Sequence, residues 1–289
     1  MKLVWQSKLV LLLVLPFAAA DVVLQGHWWA INSQPVAIWT LGVSLLFGLA
    51  VLQLRAATPA GAFTGAAITA NLIFSTTSLP YLPWRTALVS VLAVFVLSFV
   101  ATRLGRERKE RLGTAEQRQG RSAAQVAANL GVAAIAFSGL AQSWLVDTGW
   151  FARAGQMPVL LLAAGLAALA EAAADTVSSE VGQVLGGQPR MITNLRQVEP
   201  GTDGAISLAG TLAGLAAAAL VAAAGTLALG GGPAIFWIGC AGGVFGLFFD
   251  SLLGATLERR GWLNNDAVNF LSTASAAVFA LGLLAFFSR

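Results

Sequence analysis

In the stretch EAAADTVSSEVG, Glu171, Asp175 and Ser178 stand at positions i, i+4 and i+7. On a helix these three share one face, and Glu180 points elsewhere. Two carboxylates one turn apart repel each other unless a cation or a proton sits between them. Magnesium is the natural guest, because it is hard, prefers oxygen and binds through a few carboxylates together with phosphate oxygens. A single acid here would need no explanation beyond ending a membrane helix. Three acids within ten residues, beside Ser178 and Ser179, favour a site, since charge near membrane depth is costly and usually functional.

Four further polar stretches can join this one. VEPGTDGAISLAGTLAG offers a tight turn at Pro200, Gly201 and Gly204, with Asp203 or Ser207 as the cap of a following helix. Free backbone N–H groups at such a helix start suit a phosphate. Gly210 and Gly214 have GxxxG spacing and point to helix packing. In GRSAAQVAANLG, Arg121 can hold a phosphate in bidentate fashion, and Asn129 shares a face with Gln125 in an otherwise apolar helix. FFDSLLGAT places Asp250 and Ser251 at the end of an apolar run, and NNDAVNFLST supplies Asn269 and Ser272 behind Asp266, the expected N-cap.

Other chemistries are closed off. There is no Walker A loop, no GxGxxG fingerprint and no HExxH, so a nucleotide site here is neither a P-loop nor a Rossmann site. Cys240 is the only cysteine and His27 the only histidine. Intrachain disulfides and multi-histidine metal sites are therefore excluded.

The elements that must position these residues are membrane helices. Of the 289 residues, 57% are hydrophobic and 10% charged, with a mean hydropathy of +0.76; soluble domains carry about a quarter charged residues. The fold class expected is all-α: a polytopic integral membrane protein with about nine transmembrane helices, near 4–24, 36–54, 62–79, 84–102, 126–146, 157–174, 205–229, 233–254 and 267–287. The third, with Thr64, Thr69 and Asn71, is the weakest and reads as partly re-entrant. FAAAD at 17–21 looks like a signal-peptidase site, but an ordinary first helix over residues 1–20 is favoured. The chain divides into N-terminal helices, 1–60, and a membrane-embedded catalytic unit, 61–289, with loops 103–125 and 175–204.

Nine spans put every Lys and Arg except Arg85, Arg153 and Arg289 on one side, including the basic run from Arg103 to Arg121. By the positive-inside rule that side is cytoplasmic. The basic linker suits a partly helical segment against an anionic leaflet. The +4 net charge is thus an orientation signal, and nucleic acid is not an expected partner. All five polar stretches fall on the cytoplasmic face, where nucleotides are.

Taken in order, GRSAAQVAANLG, ADTVSSEVG, PRMITNLRQVEPGTDGAISLAGTLAG, DSLLGAT and VNFLST resemble the phytyl-phosphate kinase family, long catalogued as a domain of unknown function, over Gly61 to the C-terminus. The chain departs from that pattern at Val177, often Trp, and Ala205, often Gly. The resemblance implies an integral kinase of the cytoplasmic membrane, with its site facing the cytoplasm. It would transfer the γ-phosphate of CTP, or ATP, to an isoprenoid monophosphate such as phytyl or geranylgeranyl phosphate, with Mg²⁺. In plants the product feeds tocopherol synthesis. On this reading Glu171, Asp175, Glu180, Asp203 and Asp250 include the metal ligands and catalytic acids. Arg121, Arg190 and Arg196 contact phosphates. Asn129, Ser178, Ser179, Gly201, Thr202, Gly204, Ser251 and Asn269 complete the polar shell. Expected partners are the two substrates and the lipid bilayer, with homo-oligomerisation left open. Rival readings are a transporter, against which the lack of internal symmetry counts, a cytidylyltransferase making a CDP-lipid, and a non-catalytic lipid-binding protein.

Overall fold

The computed structural model describes residues 4–115, 119–147 and 157–287. Lys2, Arg118, Arg153 and Arg289, used above for orientation, lie outside them. The described chain is almost all helix: α1 (Val4–Asn32), α2 (Gln34–Gln53), α3 (Pro59–Thr76), α4 (Leu88–Arg103), α5 (Arg106–Leu112), α6 (Ala123–Phe137), α7 (Gly139–Asp147), α8 (Met157–Leu185), α9 (Leu208–Ala228), α10 (Pro233–Leu253) and α11 (Asn265–Phe287). Two short strands, β1 (Arg190–Met191) and β2 (Ala205–Ile206), pair antiparallel in the loop between α8 and α9.

Local chemistry explains the helix starts. Thr58 caps α3 by accepting from the Gly61 N–H (3.1 Å), and Ser122 forms a reciprocal capping box with Gln125 at α6. Ser207 caps α9, accepting from the Gly210 N–H at 3.1 Å. At α11 the cap is Asn264, whose Oδ1 accepts from the Ala267 N–H (2.9 Å). The expected cap, Asp266, instead accepts from the Ser7 hydroxyl at 2.5 Å. Proline in the first turn opens α2, α3 and α10.

Helix α8 is the axis of the bundle. Its run from Leu161 to Ala174 is buried almost without a break, and α4, α6, α9, α10 and α11 pack around it. Small residues allow this closeness: side chains added at Gly214 of α9 or Gly243 of α10 would meet the α8 backbone at Ala174 or Ala170. Helices α1 and α2 pack on α3 and α6, and Val10, Val14 and Ala18 join the main core. FAAAD lies inside α1. Exposed Leu13, Val23, Leu45, Leu46, Leu227 and Val278 form the kind of apolar exterior that lipid covers.

Among the described residues six helices are long and apolar enough to cross a membrane, or seven if α4 and α5, bent by 66° at their junction, count as one. The count of nine is therefore not reproduced in full. Helix α3 is continuous but carries Thr64, Thr69 and Asn71, and α6 has only 15 residues before Ser138 breaks it from α7. Both are interior helices, so neither needs the hydropathy or length of a lipid-facing span. The loop expected from 175 begins later, because α8 runs on to Leu185.

Candidate active site

The three carboxylates at the centre come from two helices. Glu171 and Asp175 lie one turn apart on α8, and Asp250 faces them from the end of α10. The approach depends on Gly246, since a side chain there would collide with Glu171. Glu171 is 1% exposed, and its Oε1, like Asp250 Oδ1, has no hydrogen-bond partner. Asp175 and Asp250 interact side chain to side chain, the Arg121 guanidinium faces Asp175, and Ser272 of α11 lies beside Glu171 and Asp250. Clustered acids with unpartnered buried oxygens demand a proton or a cation.

A polar cleft of about 140 Å³ opens from this cluster. Its walls are Asp175, Ser178 and Ser179 of α8, the Gly201–Ser207 segment, and Asp250 and Ser251 with the π-helical turn Gly254–Glu258 behind α10. The β1–β2 pairing folds the loop back, and Gly201 (φ +86°) and Gly204 (φ +74°) make turns that L side chains resist. Gly204 also presses against the Ala255 backbone, where no Cβ fits. Burial raises the Asp203 carboxyl above its ordinary value of 3.8, an effect the nearby Arg259 opposes.

Not every expected site residue reaches the cleft. Asp175, Ser178, Ser179, Gly201, Thr202, Gly204, Asp203, Asp250 and Ser251 line it, with Glu171 just beneath. Glu180 turns away: its Oε2 takes the Lys109 ammonium at 2.5 Å, and Lys109 Nζ also donates to the carbonyls of Ala101 (3.1 Å) and Thr102 (2.7 Å). Arg190 donates to the Leu195 carbonyl (2.9 Å), and Arg196 is exposed on the same loop. The buried Asn269 lies on α11 near Ser272, whose hydroxyl donates to its carbonyl (3.0 Å). Sequence reasoning missed Glu258 in the cleft and Lys109 as the partner of Glu180. Neither carries a local signal, because each sits in a charged run that reads as solvated surface.

A second, larger cavity of about 500 Å³ lies between α2, α3, α4 and α6. Its walls are apolar, among them Phe47, Val91, Val94, Phe95 and Leu130, and its mouth carries Arg55, Arg103, Arg106 and Arg121. Asn129 lines this cavity, not the acidic cleft, with its amide donating to the Gln125 carbonyl at 2.8 Å. The chain segments that open α3 and α6 are laced together there: the Arg121 N–H donates to the Ala56 carbonyl (3.0 Å) and the Thr58 N–H to the Arg121 carbonyl (3.0 Å). Arg121 thus stands between the two sites. It lines the apolar cavity, donates to Thr176 Oγ1 of α8 at 3.2 Å and faces Asp175.

Residues 42–277 match the model of an integral membrane protein family, DUF92. The chain belongs to that family. DUF92 relatives include uncharacterised membrane proteins of Methanocaldococcus jannaschii, 37% identical over 67% of this chain and 74% of the relative, and of Synechocystis, 35% identical over 70% and 75%. The chloroplast protein VTE6 of Arabidopsis thaliana is 29% identical over 69% of this chain and 60% of its own length. No solved structure matches. Membership makes the chain an integral membrane protein, in agreement with its apolar exterior.

Proposed function

We propose that this DUF92 protein is a membrane kinase that transfers the γ-phosphate of a nucleoside triphosphate to an isoprenoid monophosphate. One observation carries the reading: Arg121 of an apolar cavity with a basic mouth faces Asp175 of an acidic, glycine-turned cleft. An enzyme joining a nucleotide to a lipid phosphate needs both compartments and a cation between them. The similarity to VTE6 supports it, as do the motifs that resemble phytyl-phosphate kinases. CTP as donor and a cytoplasmic-facing site follow from the resemblance and the charge asymmetry.

The residues fit magnesium as part of a nucleotide complex. Among the described residues no three His, Cys, Asp or Glu side chains form a ready-made metal group. The unpartnered oxygens of Glu171 and Asp250, beside Asp175, instead supply part of a ligand shell; Mg²⁺ commonly completes its shell with phosphate oxygens and water. The unpartnered oxygens of Glu171 and Asp250 would hold the ion together with phosphate oxygens and water, with Asp175 beside them, and the ion would neutralise phosphate charge. Ser178, Ser179, Thr202, Ser251 and the backbone at Gly201 and Gly204 would bind the donor phosphates, with Asp203 at the rim. Arg121 would hold the acceptor phosphate against Asp175 while the prenyl chain occupies the apolar cavity. An acceptor oxygen attacks the γ-phosphorus, the bond to the β–γ bridging oxygen breaks, and the nucleoside diphosphate leaves. The acceptor is already anionic, so positioning and charge neutralisation suffice, without a histidine base. We assign Glu180 to anchoring α5 through Lys109.

The test is transfer of γ-label from CTP or ATP to a panel of prenyl monophosphates, with purified protein and Mg²⁺. Label in a prenyl diphosphate is expected. No transfer to any acceptor from folded protein would overturn the proposal.

A further inference from the structure

The apolar cavity has a defined depth. Arg55 and Arg103 mark its mouth at the ends of α2 and α4. Phe47 lies eight residues back from Arg55, and Phe95 eight back from Arg103. Eight helical residues rise about 12 Å, but the Arg103 side chain folds back over Phe99, so the Phe95 ring, with Phe47 beside it, lies nearer the guanidinium than that. There they meet edge to face with centroids 5.4 Å apart, and Phe95 also contacts Phe99 at 5.4 Å. This is a bridge across a gap. Helix α2 packs on α1 and α3, α4 packs on α8 and α9, and α2 and α4 are not packed side by side. Arg103 closes the upper end of the gap, stacking on Phe99 (3.6 Å) and donating to the Leu54 carbonyl (2.8 Å). Next to the ring pair, Leu46, Leu92 and Val96 are exposed on the apolar exterior. The seam between α2 and α4 therefore separates the cavity from lipid.

From these observations we propose that the Phe47–Phe95 pair is the chain-length gauge of the acceptor site. The inference rests on the kinase reading. An extended chain advances about 1.2 Å per backbone bond, as in a polypeptide, so an isoprene unit of four bonds spans roughly 5 Å. About two units reach the ring pair from a phosphate held at the mouth, so acceptors of ten to fifteen carbons touch the rings. Longer chains must part Phe47 from Phe95 and leave between α2 and α4. The basic mouth selects an anionic head and the apolar walls an uncharged tail, so the occupant is a prenyl monophosphate, not a neutral lipid.

The experiment compares prenyl monophosphates of ten, fifteen, twenty, thirty and fifty-five carbons, by direct binding to the detergent-purified protein and by kcat/KM. Wild type is expected to fall off sharply beyond fifteen carbons. Phe95→Ala and Phe47→Ala should each raise the thirty-to-fifteen carbon ratio about tenfold, the worth of two buried methylenes. Phe95→Trp should shift preference the other way, towards ten carbons, which guards against a variant that merely folds badly. A flat wild-type length profile, or ratios unchanged in all three variants, would overturn the gauge and leave the kinase reading standing. Failure of wild type to bind any of the five would overturn both.

Discussion

Glu180 and Lys109 form an ion pair in which both partners are largely shielded, with side chains 15% and 1% exposed. The pair ties α5, which lies at the mouth of the apolar cavity through Arg106 and Glu110, to α8 five residues beyond Asp175. Removing one partner of a buried pair costs about 3–5 kcal/mol, mostly because the other charge is stranded. The cost should be unequal here. Glu180→Gln strands an ammonium that keeps only two carbonyls, so it should lose about 3–4 kcal/mol. Lys109→Met leaves a carboxylate that can turn to water, so it should lose about 1–3 kcal/mol. The double variant should be more stable than the sum predicts by about 2 kcal/mol or more, against the 0.3–0.5 kcal/mol within which independent sites add. Equilibrium unfolding in mixed micelles measures all three. Additivity within that margin would refute the argument. Turnover gives a second readout. If Glu180 only anchors α5, the double variant recovers most of the activity lost in Glu180→Gln; if Glu180 holds metal, it recovers none.

Three further outcomes are expected. Asp175→Asn should insert and purify like wild type yet lose about a thousandfold in kcat, the scale of deleting one preorganised electrostatic group; near-normal turnover would remove Asp175 from the site. Gly204→Ala should lose nucleotide binding and stability, since backbone strain of about 1–3 kcal/mol adds to collision with Ala255, whereas Gly187→Ala, at φ +62° with open space around it, should show the strain alone; equal losses by thermal shift would contradict this. For Asp203 the folded-state pKa lies above the ordinary 3.8, so between those values the folded state holds a proton that the unfolded state has lost. Stability should therefore fall as pH rises through that window, and Asp203→Asn should remove this slope; a slope unchanged in the variant would show that burial of Asp203 is not its source.

The apolar runs, the cap at Ser207 and the acid face of α8 could be read in the chain because each depends on residues within one helix or turn. The meeting of Asp250 with Asp175 was legible only as two acids on one side of the membrane. Their contact depends on Gly246, a residue that looks like ordinary packing. Glu180 was misleading locally: beside Ser178 and Ser179 it reads as a site acid, but its partner lies 71 residues away in a basic linker that reads as surface. Helices α3 and α6 depart from the lipid-span pattern because other helices, not lipid, surround them. The apolar cavity left no trace in the sequence, since Phe47, Phe95 and Leu130 look like any lipid-facing residues until the bundle turns them inward.

The central claim is that a γ-phosphoryl group, and nothing else of the nucleotide, passes to a prenyl monophosphate. It is tested most directly by running parallel reactions with CTP labelled at the α- or the γ-phosphorus and a fifteen-carbon prenyl monophosphate, then separating the lipid products. Label in the lipid from the γ-position alone, as a diphosphate, is the result this account predicts. Label from the α-position, in a CDP-lipid with pyrophosphate released, would contradict it and make the protein a cytidylyltransferase.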